Sequence, residues 1–365
     1  MQRLVVLAVA AALLATACSS PRPASPLTPS RSSVPAGPQT FTVSVDGKAP
    51  SFNLAADAYF PSALKVHPGD TIQFREVWSG EPHTVTFGTL VDRSAAALPS
   101  IFPKGRGDAV QSAAQPCFLD TGAPPVNAPC PRVPQPPFSG QAFYNSGWLA
   151  DGSTFSMTMS ATIGPGTYTF RCLVHPGMSG QVEVVAPGQA IPGPPQVAAA
   201  GAAQLAQAVQ AQTAAAQDAA AVTTTPVAGI TQAEVTNTLV ATLGPAEVDA
   251  QAGEVVSWSL YGLHALALEP PDNAMGLLAK GSDGAVHVNQ VAVDHVGGQV
   301  PPPGPVPRAQ VVNGGSYGGT GFHNSGLLTS FPPGLLTYTL QFNAPGVYTV
   351  RCLIHPAMTQ TVKVS

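Results

Sequence analysis

Tyr168-Thr-Phe-Arg-Cys-Leu-Val-His-Pro-Gly-Met178 decides how this chain is read, because it returns as Tyr348-Thr-Val-Arg-Cys-Leu-Ile-His-Pro-Ala-Met358, 180 residues later and without a gap. Each copy opens as an alternating strand, in which every second side chain faces the same way. Tyr168, Phe170 and Cys172 are therefore expected to point together toward a core. Each copy closes on the spacing Cys-x2-His-x2-Met, which gathers a thiol, an imidazole and a thioether: Cys172, His175 and Met178, then Cys352, His355 and Met358. Another histidine stands upstream in each half, His83 in Glu-Pro-His-Thr-Val-Thr-Phe and His264 in Gly-Leu-His-Ala-Leu-Ala-Leu. A duplication on this scale in 365 residues implies two domains.

A thiolate with two imidazoles in a trigonal arrangement, plus a weak axial thioether, is the donor set of a blue-copper electron-transfer site. The residues resemble the type-1 copper motif of the cupredoxins, the family of plastocyanin and amicyanin, and the short Cys-x2-His-x2-Met loop is most similar to the amicyanin form. The resemblance covers roughly residues 40–186 and 230–365. It implies an all-β fold of two tandem Greek-key β-sandwiches with long loop insertions, joined by an Ala/Gln-rich linker. It also implies two type-1 coppers, one held by His83, Cys172, His175 and Met178 and the other by His264, Cys352, His355 and Met358. The plainer alternative is that the cysteines are inert packing, the methionines gap-fillers and the histidines structural. Two identically spaced sets with the same flanking Tyr, Arg and Pro weigh against it. Pro176 and Pro356 fix φ after the loop histidine and remove a backbone donor near the sulfur. Thr84 against Ala265, and Gly177 against Ala357, are small differences that make equal sites unexpected.

Composition narrows the remaining classes. Charged residues are 9% of the chain, far below the roughly 25% usual in soluble proteins, and the net charge is −4. A nucleic-acid partner would need a concentrated basic face, and none is present in the sequence. The 39 prolines and 36 glycines suit strands joined by long irregular loops better than helices.

Residues 1–18 read as a signal peptide. Arg3 supplies a basic start and Leu4 to Leu14 a hydrophobic run too short to span a bilayer as a mature helix. Ala15-Thr16-Ala17-Cys18 is similar to a bacterial lipoprotein signal with Cys18 as the lipidated residue, except that Ala15 stands where leucine is usual. The alternative is an ordinary Ala-x-Ala cut and plain secretion. Either way the chain is expected outside the cytoplasm, on the outer face of the cytoplasmic membrane if lipidated, with residues 19–39 as a flexible tether. Cys117 and Cys130 remain, and in an oxidising compartment they are expected to form a disulfide closing a Pro/Gly-rich loop, with two free thiols as the alternative.

Along the chain, domain 1 (40–186) begins with a strand at Phe41 to Val45, followed by Thr71 to Val77, Thr84 to Phe87, Ser156 to Thr162, the ligand strand and Gln181 to Val185. The segment from about Gly88 to Phe138 is a long excursion holding Cys117 and Cys130. His67 lies in a turn, its counterpart is Gln251, and it is not expected to bind metal. Met157 and Met159 read as strand packing. The linker, 187–229, contains an Ala/Gln run from Val197 to Ala221 with good helix propensity but no stripe of large apolar residues. It reads as a partly helical spacer, not a packed element. Domain 2 (230–365) repeats the plan with strands at Glu234 to Leu243, Ala246 to Val248, Val255 to Leu260, Leu335 to Phe342 and Thr361 to Val364. Its insertion carries His287 and His295, which with His323 are the only further candidates for a metal site, though loop histidines are commonly just exposed.

An enzyme is not expected. In multicopper oxidases and copper nitrite reductases, to which two-domain cupredoxin chains also belong, a histidine beside the blue-copper cysteine leads to a second copper centre. Here the neighbours are Arg171 and Leu173, and Arg351 and Leu353, and the sequence has no His-x-His pair. The reading is an electron carrier, monomeric, with redox protein partners of the cell envelope and a lipid anchor in the membrane. The alternative is copper sequestration or delivery without a redox role.

Overall fold

The computed structural model describes residues 37–77, 79–89, 91, 116–120, 135–150, 152–173, 175, 177–221, 226–231, 237–282, 286–302, 308–330 and 335–365. Cys18, Cys130, Pro176 and most of the first insertion lie outside them. The fold is all-β apart from one long helix and two very short ones: two β-sandwiches in tandem. In the first half the strands are β1 (Thr40–Val45), β2 (Leu54–Ala56), β3 (Tyr59–Phe60), β4 (Ala63–Val66), β5 (Thr71–Glu76), β6 (Thr86–Phe87), β7 (Pro116–Leu119), β8 (Phe143–Ser146), β9 (Thr154–Thr158), β10 (Gly166–Arg171) and β11 (Ser179–Val184). They form a sheet ordered β3-β1-β5-β9 and a facing sheet ordered β4-β11-β10-β6-β8-β7. The alternation read from sequence is real: Phe41, Val43 and Val45 of β1 and Ile72 and Phe74 of β5 all turn inward. Phe74 packs edge to face against Tyr59, Phe87 and Phe170, with centroids 6.2, 5.8 and 5.0 Å away. Met157 and Met159 are buried in the same core.

Helix α1 (Pro194–Ala221) follows, then β12 (Val227–Ile230), β13 (Thr238–Gly244), β14 (Glu247–Ala250), β15 (Glu254–Leu260), β16 (Gly262–His264), β17 (Leu266–Leu268), β18 (Leu278–Lys280), β19 (Val286–Val288), the short α2 (Gln290–Val293), β20 (Gln310–Tyr317), β21 (His323–Asn324), β22 (Leu328–Ser330), β23 (Leu336–Phe342), β24 (Gly346–Cys352) and β25 (Thr359–Val364). The sheet β14-β25-β24-β17-β21 repeats β4-β11-β10-β6-β8 of the first half, strand for strand. Trp258 sits at the centre of this core, and its indole N–H donates to Gln360 Oε1 at 2.7 Å, so its polar edge is satisfied.

The linker departs from expectation. α1 is 28 residues long and packed, not a spacer. Its buried side is made of Val197, Gly201, Gln212, Ala215 and Ala219. Small residues let the backbone approach the sheets closely, while Leu205 and Val209 pack partly buried against Leu54, Ala56 and Phe60. A Cβ on Gly201 would stand 2.7 Å from the Phe60 carbonyl oxygen. Buried Gln212 donates to the Thr238 carbonyl at 3.0 Å and to the Thr231 hydroxyl at 2.9 Å. The helix thus touches β1 and β3 of one half and β12 and β13 of the other. The halves also share a sheet: β2 pairs with β13 through Leu54–Val240, Ala55–Leu239 and Ala56–Thr238. Among the described residues no helix is long and apolar enough to cross a membrane.

Candidate metal centres

In both halves the ligand strand delivers its cysteine at the end of an edge-protected hairpin. Cys172 N–H donates to the Met178 carbonyl at 3.0 Å and Met178 N–H to the His175 carbonyl at 2.9 Å. Cys352, His355 and Met358 repeat the same two bonds at 3.0 and 2.9 Å. The loop is therefore closed on itself, and both methionines are buried beneath it. His83 is held from the opposite strand by backbone bridging to Leu149. His264 ends β16, where β16 pairs with β22 through His264–Leu328.

Three of the four sequence-predicted donors come together in each half, the cysteine and the two histidines. Around the first site His175 Nδ1 lies 3.1 Å from His83 Nδ1 and 3.6 Å from Cys172 Sγ. Around the second, Cys352 Sγ lies 3.8 Å from His264 Nδ1 and 3.6 Å from His355 Nδ1. His83, Cys172 and His175 thus form one three-donor cluster, and His264, Cys352 and His355 another. Three of the four outer nitrogens have a hydrogen-bond partner, and His83 Nε2 does not. His264 Nε2–H donates to the Tyr261 carbonyl at 2.7 Å. His175 Nε2 and His355 Nε2 each lie 3.1 Å from a different oxygen of Glu81, and His83 Nε2 is 3.6 Å from Asp46 Oδ2. A carbonyl can only accept, so His264 carries a proton on Nε2, and its Nδ1 faces the Cys352 sulfur. The spacings suit a three-ligand sphere with metal–nitrogen distances of about 2.0 Å and metal–sulfur of about 2.3 Å. Donor chemistry and geometry therefore fit a thiophilic metal ion in both halves.

Electrostatics agree with that fit. Burial alone would raise the Cys172 thiol, but His175 and His83 outweigh it and hold the thiol well below its ordinary range. Cys352 is lowered in the same way: burial opposes, and His264 and His355 prevail. Burial would lower His83, yet the carboxylates of Glu76 and Asp46 raise it well above a free imidazole. His355 is raised to about 10 against the cost of burial, by Cys352 and Glu81. Both cysteines are thus poised as thiolates, the form that ligates metal.

Several residues of the surroundings escaped the sequence reading. Glu81 touches both clusters, Asp57 lies 3.7 Å from His175 Nε2, and Asp46 and Glu76 sit buried behind His83. Glu76 occupies an inward position of β5, and burial, with Asp46 and Cys172 adding to it, pushes its carboxyl up to about 9. In a chain this poor in charge, the inward acid on β5 and the acid two residues before His83 were the available signals. Duplication hid the second, because Gly262 occupies that position before His264. Of the other expectations, His67 bonds the Gln189 carbonyl at 2.8 Å and Asp70, away from both clusters. His323 bonds the Tyr338 hydroxyl at 2.7 Å. Neither His287, His295 nor His323 joins a metal-type cluster among the described residues. Cys117 is buried on β7.

Two stacked mixed sheets, with an upstream histidine facing a Cys-x2-His-x2-Met hairpin at one end, make each half cupredoxin-like in fold. No family model matches the chain. No curated protein matches it either. Among solved structures it is similar to dithionite-reduced auracyanin from the photosynthetic bacterium Roseiflexus castenholzii, at 20% identity over 41% of this chain and 98% of that one, with a TM-score of 0.25. Auracyanin B matches at 21% identity over 40% of this chain and 88% of its own, TM-score 0.25. An oxidised amicyanin variant matches at 16% identity over 40% and 82%, TM-score 0.22.

Proposed function

We propose that this protein is an exported blue-copper electron carrier with one type-1 copper in each half. His83, Cys172, His175 and Met178 hold one, and His264, Cys352, His355 and Met358 the other. The observation that carries this reading is the double occurrence of a buried thiol with two imidazole Nδ1 atoms, all within 4.8 Å of one another. Thiolate, imidazole and thioether together select copper in preference to hard cations. Bound copper would supply a one-electron couple. The chain's own part is to hold the donors still in a rigid sandwich and to keep water from them. The halves of this reading correspond to residues 40–186 and 230–365.

In the same reading the chain is not an enzyme and exchanges electrons with redox proteins of the cell envelope. Cys18 carries a lipid that tethers it outside the cytoplasmic membrane, and Cys117 and Cys130 form a disulfide. The deep burial of both clusters favours a carrier over the sequestration or delivery reading, because a donor that must release metal needs access to it.

Copper titration of the whole protein tests the proposal. The expected result is two copper ions per chain and an intense thiolate-to-copper absorption at about 600 nm. Copper binding without that band sinks the type-1 assignment. Oxygen or nitrite consumption by the copper-loaded protein overturns the non-enzymatic reading. Ready transfer to a copper acceptor, without electron exchange with any redox protein, favours delivery.

A further inference from the structure

The two clusters do not stand alone. The turn before His83 is pressed into the hairpin of the second half. Gly80 has φ +115, and a Cβ there would strike the Ile354 carbonyl oxygen and lie 3.3 Å from His355 Cα. Only a residue without a side chain permits that approach. It delivers the next residue, Glu81, to a point between the two loop histidines, where it is 3% exposed. Glu81 Oε2 lies 3.1 Å from His175 Nε2, and Glu81 Oε1 lies 3.1 Å from His355 Nε2. On their far sides these imidazoles place Nδ1 at 3.6 Å from Cys172 Sγ and at 3.6 Å from Cys352 Sγ. An unbroken side-chain path therefore runs thiol, imidazole, carboxylate, imidazole, thiol.

We propose that Glu81 is a positioning residue shared by both centres: one carboxylate accepts the Nε2–H of His175 and of His355 and so turns Nδ1 of both rings toward their cysteines. This deepens the proposed function and rests on it where copper is concerned. The argument is one of donors and acceptors. An ionised carboxylate has two oxygens that only accept, and an imidazole Nε2 that faces one must donate. Each oxygen faces one ring, so both rings are held in the same orientation for the same reason. A carboxylate behind a ligating histidine fixes ring orientation and raises its basicity as a ligand. The unusual feature is that one group does this twice, across the contact between halves. The first-half site has Asp57 as a second acid near His175 at 3.7 Å, while among the described residues Glu81 is the one acid paired with His355.

The test uses the full chain. In the metal-free protein, nitrogen-15 NMR of the histidine side chains should show Nε2 of His175 and of His355 each carrying a proton held in a hydrogen bond. Glu81→Gln keeps the size but has a single acceptor oxygen, so it can serve only one ring. It should leave one site with wild-type affinity for copper ion and weaken the other by roughly 10–100-fold. Glu81→Ala should weaken both by a similar factor and shift the Nε2 signals of both rings. Unchanged Nε2 signals and affinities in the two variants would overturn the proposal, as would loss confined to one site in Glu81→Ala. The near-isosteric Gln variant serves if the Ala variant does not fold. If the wild-type protein binds no copper, the function proposed above fails, while the NMR of wild type and Glu81→Gln still decides the role of Glu81.

Discussion

The backbone N–H of Thr84 donates to Cys172 Sγ over 3.4 Å, and the Thr84 hydroxyl accepts from Leu173 N–H at 2.8 Å. In the second half the Leu353 N–H is instead taken by the Ala265 backbone carbonyl at 2.8 Å. One half thus uses a side chain where the other uses main chain. Removing that side chain orphans a buried amide, which costs about 1–3 kcal/mol. Thr84→Ala is expected to lower unfolding stability by that amount, while Thr84→Ser, which keeps the oxygen, is expected to be close to neutral. Urea unfolding midpoints at constant slope check it. Equal midpoints for the Ala and Ser variants would show that Leu173 N–H finds another partner.

The two centres should be separable by single sulfur-to-oxygen changes. Cys172→Ser and Cys352→Ser each replace a soft thiolate with a poor copper ligand at one cluster only. Each variant is expected to keep about half of the visible thiolate-to-copper absorption and to bind one type-1 copper. Complete loss of colour in one variant alone would mean that a single cluster carries the pigment.

Gly229 guards the second centre alone. Its φ is +74, and a methyl there would overlap the Tyr261 carbonyl oxygen and approach His264 Nε2 to 2.6 Å. That carbonyl is the acceptor that fixes the His264 tautomer. Gly229→Ala is therefore expected to combine backbone strain of order 1–3 kcal/mol with displacement of the His264 ring. Copper stoichiometry should fall from two to one, and the first cluster should keep its spectrum. Two coppers with unaltered absorption in this variant would show that the His264 ring tolerates the displaced carbonyl.

How much of this was legible in the sequence depends on whether the information was local. The three loop donors and their strand are adjacent residues, so Cys172, His175 and Met178 and their repeats could be read from spacing alone. His83 and His264 were reachable because a short, mostly apolar run, Val85 to Phe87 or Ala265 to Leu268, follows each. Glu81 was not, because its role exists only where the two halves touch, and the repeat lacks an acid there. The strands were visible through period-two patterns such as Phe41, Val43 and Val45, whereas β2 pairs across halves over three residues that carry no such pattern. The helix was misjudged for a definite reason. A search for a continuous stripe of large apolar residues misses an interface in which Val197, Leu205 and Val209 are combined with Gly201, Ala215, Ala219 and one hydrogen-bonded Gln212.

That interface makes a prediction in which two effects oppose each other. Inside a helix, glycine to alanine is normally favourable by about 1 kcal/mol. At Gly201 the added methyl would meet backbone, the Phe60 carbonyl at 2.7 Å and Pro61 N at 2.8 Å, which cannot rotate away. Overpacking against such a contact costs about 1–3 kcal/mol, so Gly201→Ala is expected to destabilise the protein despite its better propensity. Gln212→Ala should also destabilise, because the Thr238 carbonyl keeps the Thr231 hydroxyl but loses the Gln212 amide as a donor, and the methylenes leave a void. Exposed positions on the opposite face supply the control: Ala203→Gly should cost only the propensity difference. Thermal unfolding of the three variants separates packing from propensity. A stabilised Gly201→Ala protein would mean that the helix does not bear on β3 as closely as the geometry requires.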